Sequence, residues 1–292
     1  MAFSETFHVL SDIHVELLNK TQMQRIIDDL LPAKFLVLAG DIGSPSSSPS
    51  PNNPKSIPEN DNYKDFLCAT SKIYDTVFVI LGNHEFYYTD IQSAKNAAKN
   101  ACASFANVVL LDREYHDIVG TDIRIVGATL WTHIPPENAE RVSSVLGDFR
   151  SIVDWNVTRH NTEHQLDTQF IKSQIAVNND ARGCSSHKQL VIITHHAPTT
   201  IATSNPRYEA CITNCAFSSN VIHTLLPIDV KHTQKSSSVK AWIYGHTHHS
   251  GQRMHGNTML LSNQKGTLHE LETGFDKNFI FSAASYCAVA RQ

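Results

Sequence analysis

Five short polar blocks bring together side chains that bind divalent metals. The chain has 17 histidines among 292 residues, and histidine is both a common metal ligand and the side chain that titrates near neutral pH. Several of these histidines stand beside carboxylates or an amide, and such mixed nitrogen and oxygen donors suit Mn²⁺, Fe, Zn²⁺ or Co²⁺. Chemistry at bound metal is therefore the first hypothesis. The blocks are Asp12-x-His14, Gly40-Asp41, Gly82-Asn83-His84-Glu85, His195 and Gly245-His246-x-His248.

Two divalent metals held side by side can hydrolyse a phosphate ester. Such an ester resists water because its negative charge repels hydroxide and its leaving oxygen departs poorly. Two metals about 4 Å apart answer both problems, because one lowers the pKa of a bound water and both neutralise the phosphoryl oxygens. A pair of this kind needs a carboxylate that can bridge and neutral donors that complete each shell, and the blocks contain both types.

Each block follows a predicted strand. Apolar runs at 7–10, 35–39 and 77–81 lead into the first three blocks, and runs at 190–194 and 241–244 lead into the two histidine blocks. Ligands of open α/β sheets bind beyond the carboxyl ends of the strands. The repetition therefore favours one shared site.

The segments between these strands predict helices and a further pair of strands. Apolar spacing predicts helices near 23–31, 63–74, 139–147 and 160–178. Alternation around a central turn at 108–131 favours antiparallel strands.

One segment, 44–60, matches neither pattern. Its first 15 residues hold five of the 11 prolines and six serines, a composition that is typical of a loop. It leaves the site directly after Asp41, so it is either a solvated insertion or a flap over the site.

Composition limits the remaining possibilities. The chain is 41% apolar, long enough for a sizeable core, and we expect a single domain over 1–292. Its formal charge of -4 offers no one-sided basic face, so we expect no nucleic-acid partner. No apolar stretch is long enough to span a membrane, which favours the cytoplasm. The six cysteines include no C-x-x-C pair, and we expect reduced, mostly buried thiols.

The order of the blocks resembles the signature of the calcineurin-like metallophosphoesterase superfamily. The phrases Leu38-Ala-Gly-Asp41, Asn83-His-Glu-Phe86 and Thr194-His-His-Ala-Pro198 further resemble a branch of small microbial phosphatases. The resemblance spans residues 12–248 and includes all five blocks. It implies a four-layer α/β/β/α sandwich, in which two mixed sheets are flanked by helices and metals lie at the strand ends. It also implies hydrolysis of a phosphate ester by a hydroxide that bridges two metals.

The resemblance implies roles for eight polar side chains of the blocks. Asp41 would bridge the metals, and the neutral amide of Asn83 would leave the centre with a net charge of about +1. His84 would bind neither metal and would donate a proton to the leaving oxygen or stabilise the phosphoryl group. The implied ligands are Asp12, His14, Asp41 and His248 for the first metal, and Asp41, Asn83, His195 and His246 for the second.

The chain departs from the family pattern at one point. Many members carry a second acid shortly after the Gly-Asp pair, as a partner of the catalytic histidine, but here Ile42-Gly43-Ser44 follows Asp41. The group that orients His84 is therefore unassigned.

Four residues outside the blocks are candidate substrate contacts. Arg150 could fork onto a phosphate, although an ion-paired or solvated arginine is the competing interpretation. His196 is a candidate beside the ligand His195. The remaining two, in the stretch after the His195 strand, are Arg207 and Tyr208.

The leading functional hypothesis is a phosphomonoesterase that acts on a small phosphorylated metabolite or nucleotide. The alternative is a phosphodiesterase of the cyclic nucleotide or glycerophosphodiester type, because the same metals serve either bond. A non-catalytic scaffold is a third possibility, which the complete ligand set disfavours. The substrate, the native metals and the oligomeric state stay open.

Overall fold

Two mixed sheets form the centre of the fold. This computed structural model describes residues 5–45, 61–181, 184, 187–228, 237–267, 270 and 272–282. The strands in these ranges are β1 (Thr6–Leu10), β2 (Phe35–Ala39), β3 (Thr76–Ile80), β4 (Val108–Leu110), β5 (Glu114–Asp117), β6 (Ile123–Ala128), β7 (Gln189–Thr194), β8 (Val239–Ile243), β9 (Gly251–His255), β10 (Thr258–Ser262) and β11 (Ile280–Ser282). The first sheet has the order β11-β1-β2-β3-β4, and the second has the order β5-β6-β7-β8-β10-β9.

Parallel strands occupy the middle of both sheets, and antiparallel strands lie at their edges. Strands β1 to β4 are parallel and β11 is antiparallel to β1. In the second sheet β6, β7, β8 and β10 are parallel, with β5 and β9 antiparallel at the edges. The antiparallel pairing predicted within 108–131 is thus confirmed for β5 and β6 and wrong for β4. A helix precedes β4 and returns the chain across the sheet, which is the connection that parallel neighbours require.

Helices cover the outer faces of the sheets. The long helix of the second half starts three residues before the predicted 160, because Asn156 caps it by accepting a hydrogen bond from the backbone N–H of Arg159. The other predicted helices are confirmed to within a few residues. The helices are α1 (Lys20–Asp28), α2 (Asn62–Ser71), α3 (Ile91–Ala103), α4 (Ala139–Val145), α5 (Asp148–Ser151), α6 (Val157–Asp180) and α7 (Val221–Leu225).

Each central strand is apolar on both faces. In β2, Val37 faces the other sheet, whereas Leu36 and Leu38 face the helices. In β7, Val191 faces the first sheet and Ile192 faces the helices. One core therefore lies between the sheets and one lies under each helical layer, so the expected four-layer sandwich of two mixed sheets is confirmed.

Three further expectations concern a loop, membrane spans and the cysteines. The loop predicted at 44–60 lies outside the described residues apart from Ser44 and Pro45. Within the described ranges, no helix combines the length and apolarity that a membrane span requires. Five described cysteines are free thiols, and Cys102 alone among them is buried, so the expectation of mostly buried thiols is wrong.

Candidate metal centre

The five polar blocks meet where parallel strands end. Those after β1, β2 and β3 come from the first sheet, and those after β7 and β8 come from the second. Backbone hydrogen bonds join them: Asp12 N–H donates to Gly40 (3.0 Å), His14 N–H donates to Asp41 (3.0 Å), and Gly245 N–H donates to His195 (2.8 Å). The strand ends therefore fix the positions of these side chains relative to one another.

Left-handed backbone conformations are concentrated in these blocks. A residue with a Cβ atom loses roughly 1–2 kcal/mol in this region of φ, and such strain persists only where surrounding contacts impose it. These residues therefore keep a backbone conformation that costs free energy, and that conformation sets the direction of their side chains. The residues are Asp12, His14, Asp41, His246 and His248, with φ angles of 55, 52, 51, 69 and 48°.

One group of donors comprises Asp12, His14 and His248, whose ligand atoms all lie within 4.8 Å of one another. His248 Nε2 is 3.3 Å from Asp12 Oδ1 and 3.4 Å from His14 Nε2. The far nitrogen of the His248 ring, Nδ1, lies 2.5 Å from Glu270 Oε2. Glu270 therefore holds the ring with Nε2 directed at the group.

A second group comprises Asp41, His195 and His246, and Asn83 joins it. His195 Nε2 is 3.1 Å from Asn83 Oδ1, 3.1 Å from His246 Nδ1 and 3.4 Å from Asp41 Oδ1. His195 Nδ1–H donates to the carbonyl of Ala39 over 3.0 Å, so the other ring nitrogen, Nε2, faces the group.

Asp41 lies between the two groups. It belongs to the second group and also to a cluster with His14 and His84 whose ligand atoms lie within 4.8 Å. The backbone N–H of His84 donates to Asp41 Oδ1 over 2.9 Å, and the His84 ring nitrogen Nε2 is 4.0 Å from Asp41 Oδ2. The carboxylate therefore has one oxygen toward His195 and the other toward His84.

Two carboxylates and two histidines of the site hold opposite charges. Burial opposes ionisation of Asp12 and Asp41, but the nearby imidazoles, His248 for the former and His195 for the latter, lower both pKa values. Burial also opposes protonation of His195, but Asp41 raises its pKa to about 9. Asp12 and Glu270 likewise raise the pKa of His248 to about 10. The buried carboxylates of Asp12 and Asp41 are therefore stabilised by positive charge beside them.

The donors fit a pair of divalent cations. Two pairs of imidazole nitrogens face each other at 3.1 and 3.4 Å, an arrangement that a cation satisfies better than a shared proton. His246 Nε2 is buried without a hydrogen-bond partner among the described residues. Burial and the neighbouring His195 hold the pKa of His246 well below its usual value, so this ring is neutral and able to bind metal. Nitrogen and oxygen donors without thiolate match the borderline metals expected from the sequence.

Glu85 secures the loops beneath the donors, a role that the sequence did not predict. Its buried carboxylate accepts hydrogen bonds from the backbone N–H groups of Asp41 (3.0 Å), Ile42 (2.8 Å) and Gly82 (2.7 Å). A Cβ atom at Gly82 would lie 2.2 Å from Asp41 Oδ1, so no larger residue fits there without moving the carboxylate.

A cavity of about 400 Å³ opens onto the donors. Its walls include the ring of His84, the aromatic side chains of Tyr87 and Phe217, and the carboxylates of Asp148 and Glu270. Among the described residues that line it, none is a lysine or an arginine. The charge that attracts an anion into this cavity must therefore come from the histidines that line it and from the metal centre.

Of the four candidate substrate contacts, only Tyr208 lines this cavity. The guanidinium of Arg207 lies over the Tyr208 ring, 4.7 Å from its centroid. Arg150 donates to the backbone carbonyls of Ser144 and Val145, the last two residues of α4. His196 is fully buried, and its ring packs 4.1 Å from the ring of His246.

Three acids near the site received no role from the sequence. Glu16 bonds to His84, Asp148 bonds to Asn83, and Glu270 bonds to His248. Glu16 stands two residues after His14, and this proximity could have identified it. Asp148 and Glu270 are distant in sequence from the residues that they contact, so no local pattern indicates them.

Comparison with known proteins agrees with this architecture. The profile of the calcineurin-like phosphoesterase family matches residues 5–250. The uncharacterized protein L509 of Acanthamoeba polyphaga mimivirus is 28% identical over 281 residues, which cover 89% of this chain and 91% of that protein. The crystal structure of phosphopantetheinyl hydrolase from Mycobacterium tuberculosis superposes with a TM-score of 0.60 at 14% identity, over 90% of each chain. At that identity the likeness shows a shared fold.

Proposed function

Since the chain belongs to the calcineurin-like phosphoesterase family, we propose that it is a metal-dependent phosphomonoesterase acting on a small phosphorylated metabolite or nucleotide. The position of Asp41 between two groups of donors carries this proposal, because a bridging carboxylate is what a two-metal hydrolase requires. Two bound cations would supply a water of lowered pKa and would neutralise the phosphoryl oxygens.

The proposed ligands are those that the family resemblance implies. Asp12, His14 and His248 would hold one ion, Asn83, His195 and His246 would hold the other, and Asp41 would touch both. Asn83 contributes no charge, so two divalent ions outweigh the ligand carboxylates and the centre attracts a phosphate anion.

His84 is the proposed proton donor. Its ring lines the cavity, and its Nε2 stands 4.0 Å from Asp41 Oδ2, beside the donors but outside both ligand sets. Burial opposes its protonation, but Asp41 and Glu16 raise its pKa to about 9. The ring therefore carries a proton at neutral pH that it can pass to the leaving oxygen.

A phosphodiesterase is the second candidate, and the charges of the cavity wall favour it. Asp148 and Glu270 line the cavity, whereas none of the described lining residues is a lysine or an arginine. A phosphodiester carries one negative charge and a monoester carries about two near neutral pH, so carboxylates repel the diester less.

Turnover of p-nitrophenyl phosphate and of bis(p-nitrophenyl) phosphate, measured side by side in Mn²⁺, tests both candidates. We expect the higher kcat/KM for the monoester. A preference for the bis ester would replace the first candidate by the second. Absence of turnover of both esters, by protein that holds two metal ions, would contradict the phosphoesterase proposal as a whole.

A further inference from the structure

Glu16 occupies a position that links two histidines of the site. Its side chain is 6% exposed, and its Oε1 lies 3.2 Å from His84 Nδ1 and 3.3 Å from His14 Nδ1. Its other carboxylate oxygen, Oε2, is buried without a hydrogen-bond partner among the described residues. Among the described residues, the carboxylate of Glu16 therefore bonds to these two rings.

The backbone around Glu16 holds this arrangement in place. Glu16 lies in the short 3-10 turn Val15–Leu17, which follows β1. The N–H of Val15 donates to the carbonyl of Ile42 over 2.8 Å, which joins this turn to the loop after β2. The turn therefore cannot move independently of the loop that carries Asp41.

The ring of His84 is restrained on three sides. Tyr87 stacks on it, with ring centroids 4.2 Å apart, and the His14 ring meets it edge-on at 4.5 Å. These contacts fix the plane of the ring but permit a flip that would exchange its two nitrogens. The hydrogen bond to Glu16 removes that freedom, because it holds Nδ1 on the side away from Asp41.

We propose that Glu16 is the positioning residue for His84, in place of the acid that the sequence lacks after Gly40-Asp41. Glu16 accepts the Nδ1–H of His84, so Nε2–H faces the cavity and the centre. The carboxylate comes from the end of β1 rather than β2, yet it reaches the same ring. Because it also accepts from His14, it sets the distance between the proton donor and a proposed metal ligand.

This inference rests on the proposed function. The oxygen of a water molecule bonds to phosphorus as the bond between phosphorus and the ester oxygen breaks. His84 Nε2 gives its proton to the ester oxygen, so one product leaves as a neutral alcohol and the other as phosphate. The imidazole regains a proton from water, and Glu16 keeps its hydrogen bond to Nδ1 throughout. Loss of Glu16 should therefore matter most when the leaving oxygen is strongly basic.

The kinetic test compares two monoesters, phenyl phosphate with its poor leaving group and p-nitrophenyl phosphate with its good one. In Glu16→Gln we expect kcat for phenyl phosphate to fall about 10-fold or more beyond the fall for p-nitrophenyl phosphate. Glu16→Asp should recover part of that loss, and Glu140→Gln, at an exposed glutamate of α4, should change neither rate. An equal fall for both esters would overturn the inference, since that pattern indicates a purely structural or metal-binding role.

The double variant gives a second criterion. If Glu16 acts through His84, then Glu16→Gln combined with His84→Ala should be no slower than His84→Ala alone. Multiplicative losses would show that Glu16 acts elsewhere and would overturn the inference.

A measurement without catalysis separates this inference from the proposed function. In metal-free protein, the Hδ1 proton of His84 should give a slowly exchanging NMR signal, assigned by its loss in His84→Ala. Glu16→Gln should abolish the protection of that signal, and an unchanged signal would overturn the inference. Failure of the unsubstituted protein to turn over either ester, with the protection confirmed, would instead remove the phosphoesterase proposal and the acid role with it.

Discussion

Asn83 donates its amide Nδ2 to Asp148 Oδ1 over 2.8 Å, and this bond turns the amide oxygen of Asn83 toward His195. The hydroxyl of Tyr87 donates to the same carboxylate oxygen over 2.8 Å. Asp148 is 2% exposed, so water does not compete for these bonds. Asp148 therefore determines which atom of Asn83 faces the proposed second metal.

Removal of the Asp148 carboxylate should weaken metal binding without removing a ligand. In Asp148→Ala we expect about 10- to 100-fold weaker binding of the second ion, the usual effect of losing a hydrogen-bond partner of a ligand. Titration of metal-free protein with Mn²⁺ measures it, and Asp180→Ala at the exposed end of α6 serves as the control. Unchanged affinity for both ions would show that Asn83 holds its orientation unaided.

Substitution of a ligand should lower the metal content itself. We expect the purified protein to hold about two ions, and Asn83→Ala and His195→Ala to hold about one, because each removes a donor from the second group. Elemental analysis by mass spectrometry gives the stoichiometry. His133→Ala, at an exposed histidine outside both groups, should keep two ions. Two ions retained after loss of His195 would contradict the proposed ligand set.

The sequence indicated the donors because each lies at the end of an apolar run. Asp41 follows β2 and His195 follows β7. Both strands are short, continuous and apolar on both faces, so their ends could be located within about one residue. Asp148 and Glu270, which orient donors, could not be recognised in the sequence because their partners are distant in the chain. Asn83 and Asp148 are 65 residues apart, and only the fold brings them together.

The segment 148–150 shows what the local sequence leaves undecided. The sequence suggested Arg150 as a substrate contact. In the structure Asp148 lines the cavity, and Arg150 donates to backbone carbonyls at the C-terminal end of α4. Residues two apart in a helical turn face different sides, so one of the pair had to point away. Sequence alone does not say which one.

Pairing of β4 was missed for a related reason. The alternation of 108–131 correctly indicated strands, but register and partner depend on the helix α3 that precedes them. Strand order is a property of connections, which local periodicity does not encode.

The core between the sheets leaves no room for a methyl group at Gly127. A Cβ atom there would lie 2.4 Å from Ile80 Cδ1 and 2.5 Å from Leu111 Cβ, so the two sheets would have to separate. We expect Gly127→Ala to lower the free energy of unfolding by about 1–3 kcal/mol, the usual cost of overpacking. Gly251→Ala is the matched control, because no atom of the described residues, apart from its two chain neighbours, lies within 4 Å of its added Cβ.

Urea denaturation at pH 7.5 measures both glycine variants. The control should stay within about 0.5 kcal/mol of the unsubstituted protein, as is usual for surface changes. Equal stability of Gly127→Ala and the control would mean that the inter-sheet core yields more easily than its close packing indicates.

His160 should make the folded protein sensitive to acid. Its ring is fully buried against Trp131 and Trp155, and its Nε2 lies 3.0 Å from the hydroxyl of Thr132. Burial, assisted by the charge of His164, lowers the pKa of His160 to about 3. The unfolded chain takes up this proton near pH 6.5, whereas the folded chain does not, so folding stability is lost as the pH falls from 6.5 toward 3.

The variant His160→Gln separates this titration from packing. At pH 7.5 it should be less stable than the unsubstituted protein, because the ring contacts are gone. Between pH 7.5 and 5 the difference should narrow by about 1–2 kcal/mol, since one buried histidine changes stability by about 1.4 kcal/mol per pH unit below its unfolded pKa. Urea denaturation of metal-free protein in chelator gives both values, with His133→Gln as the exposed control. A difference that stays constant with pH would show that His160 takes up its proton in the folded state, through an opening of the cluster around Trp131 and Trp155.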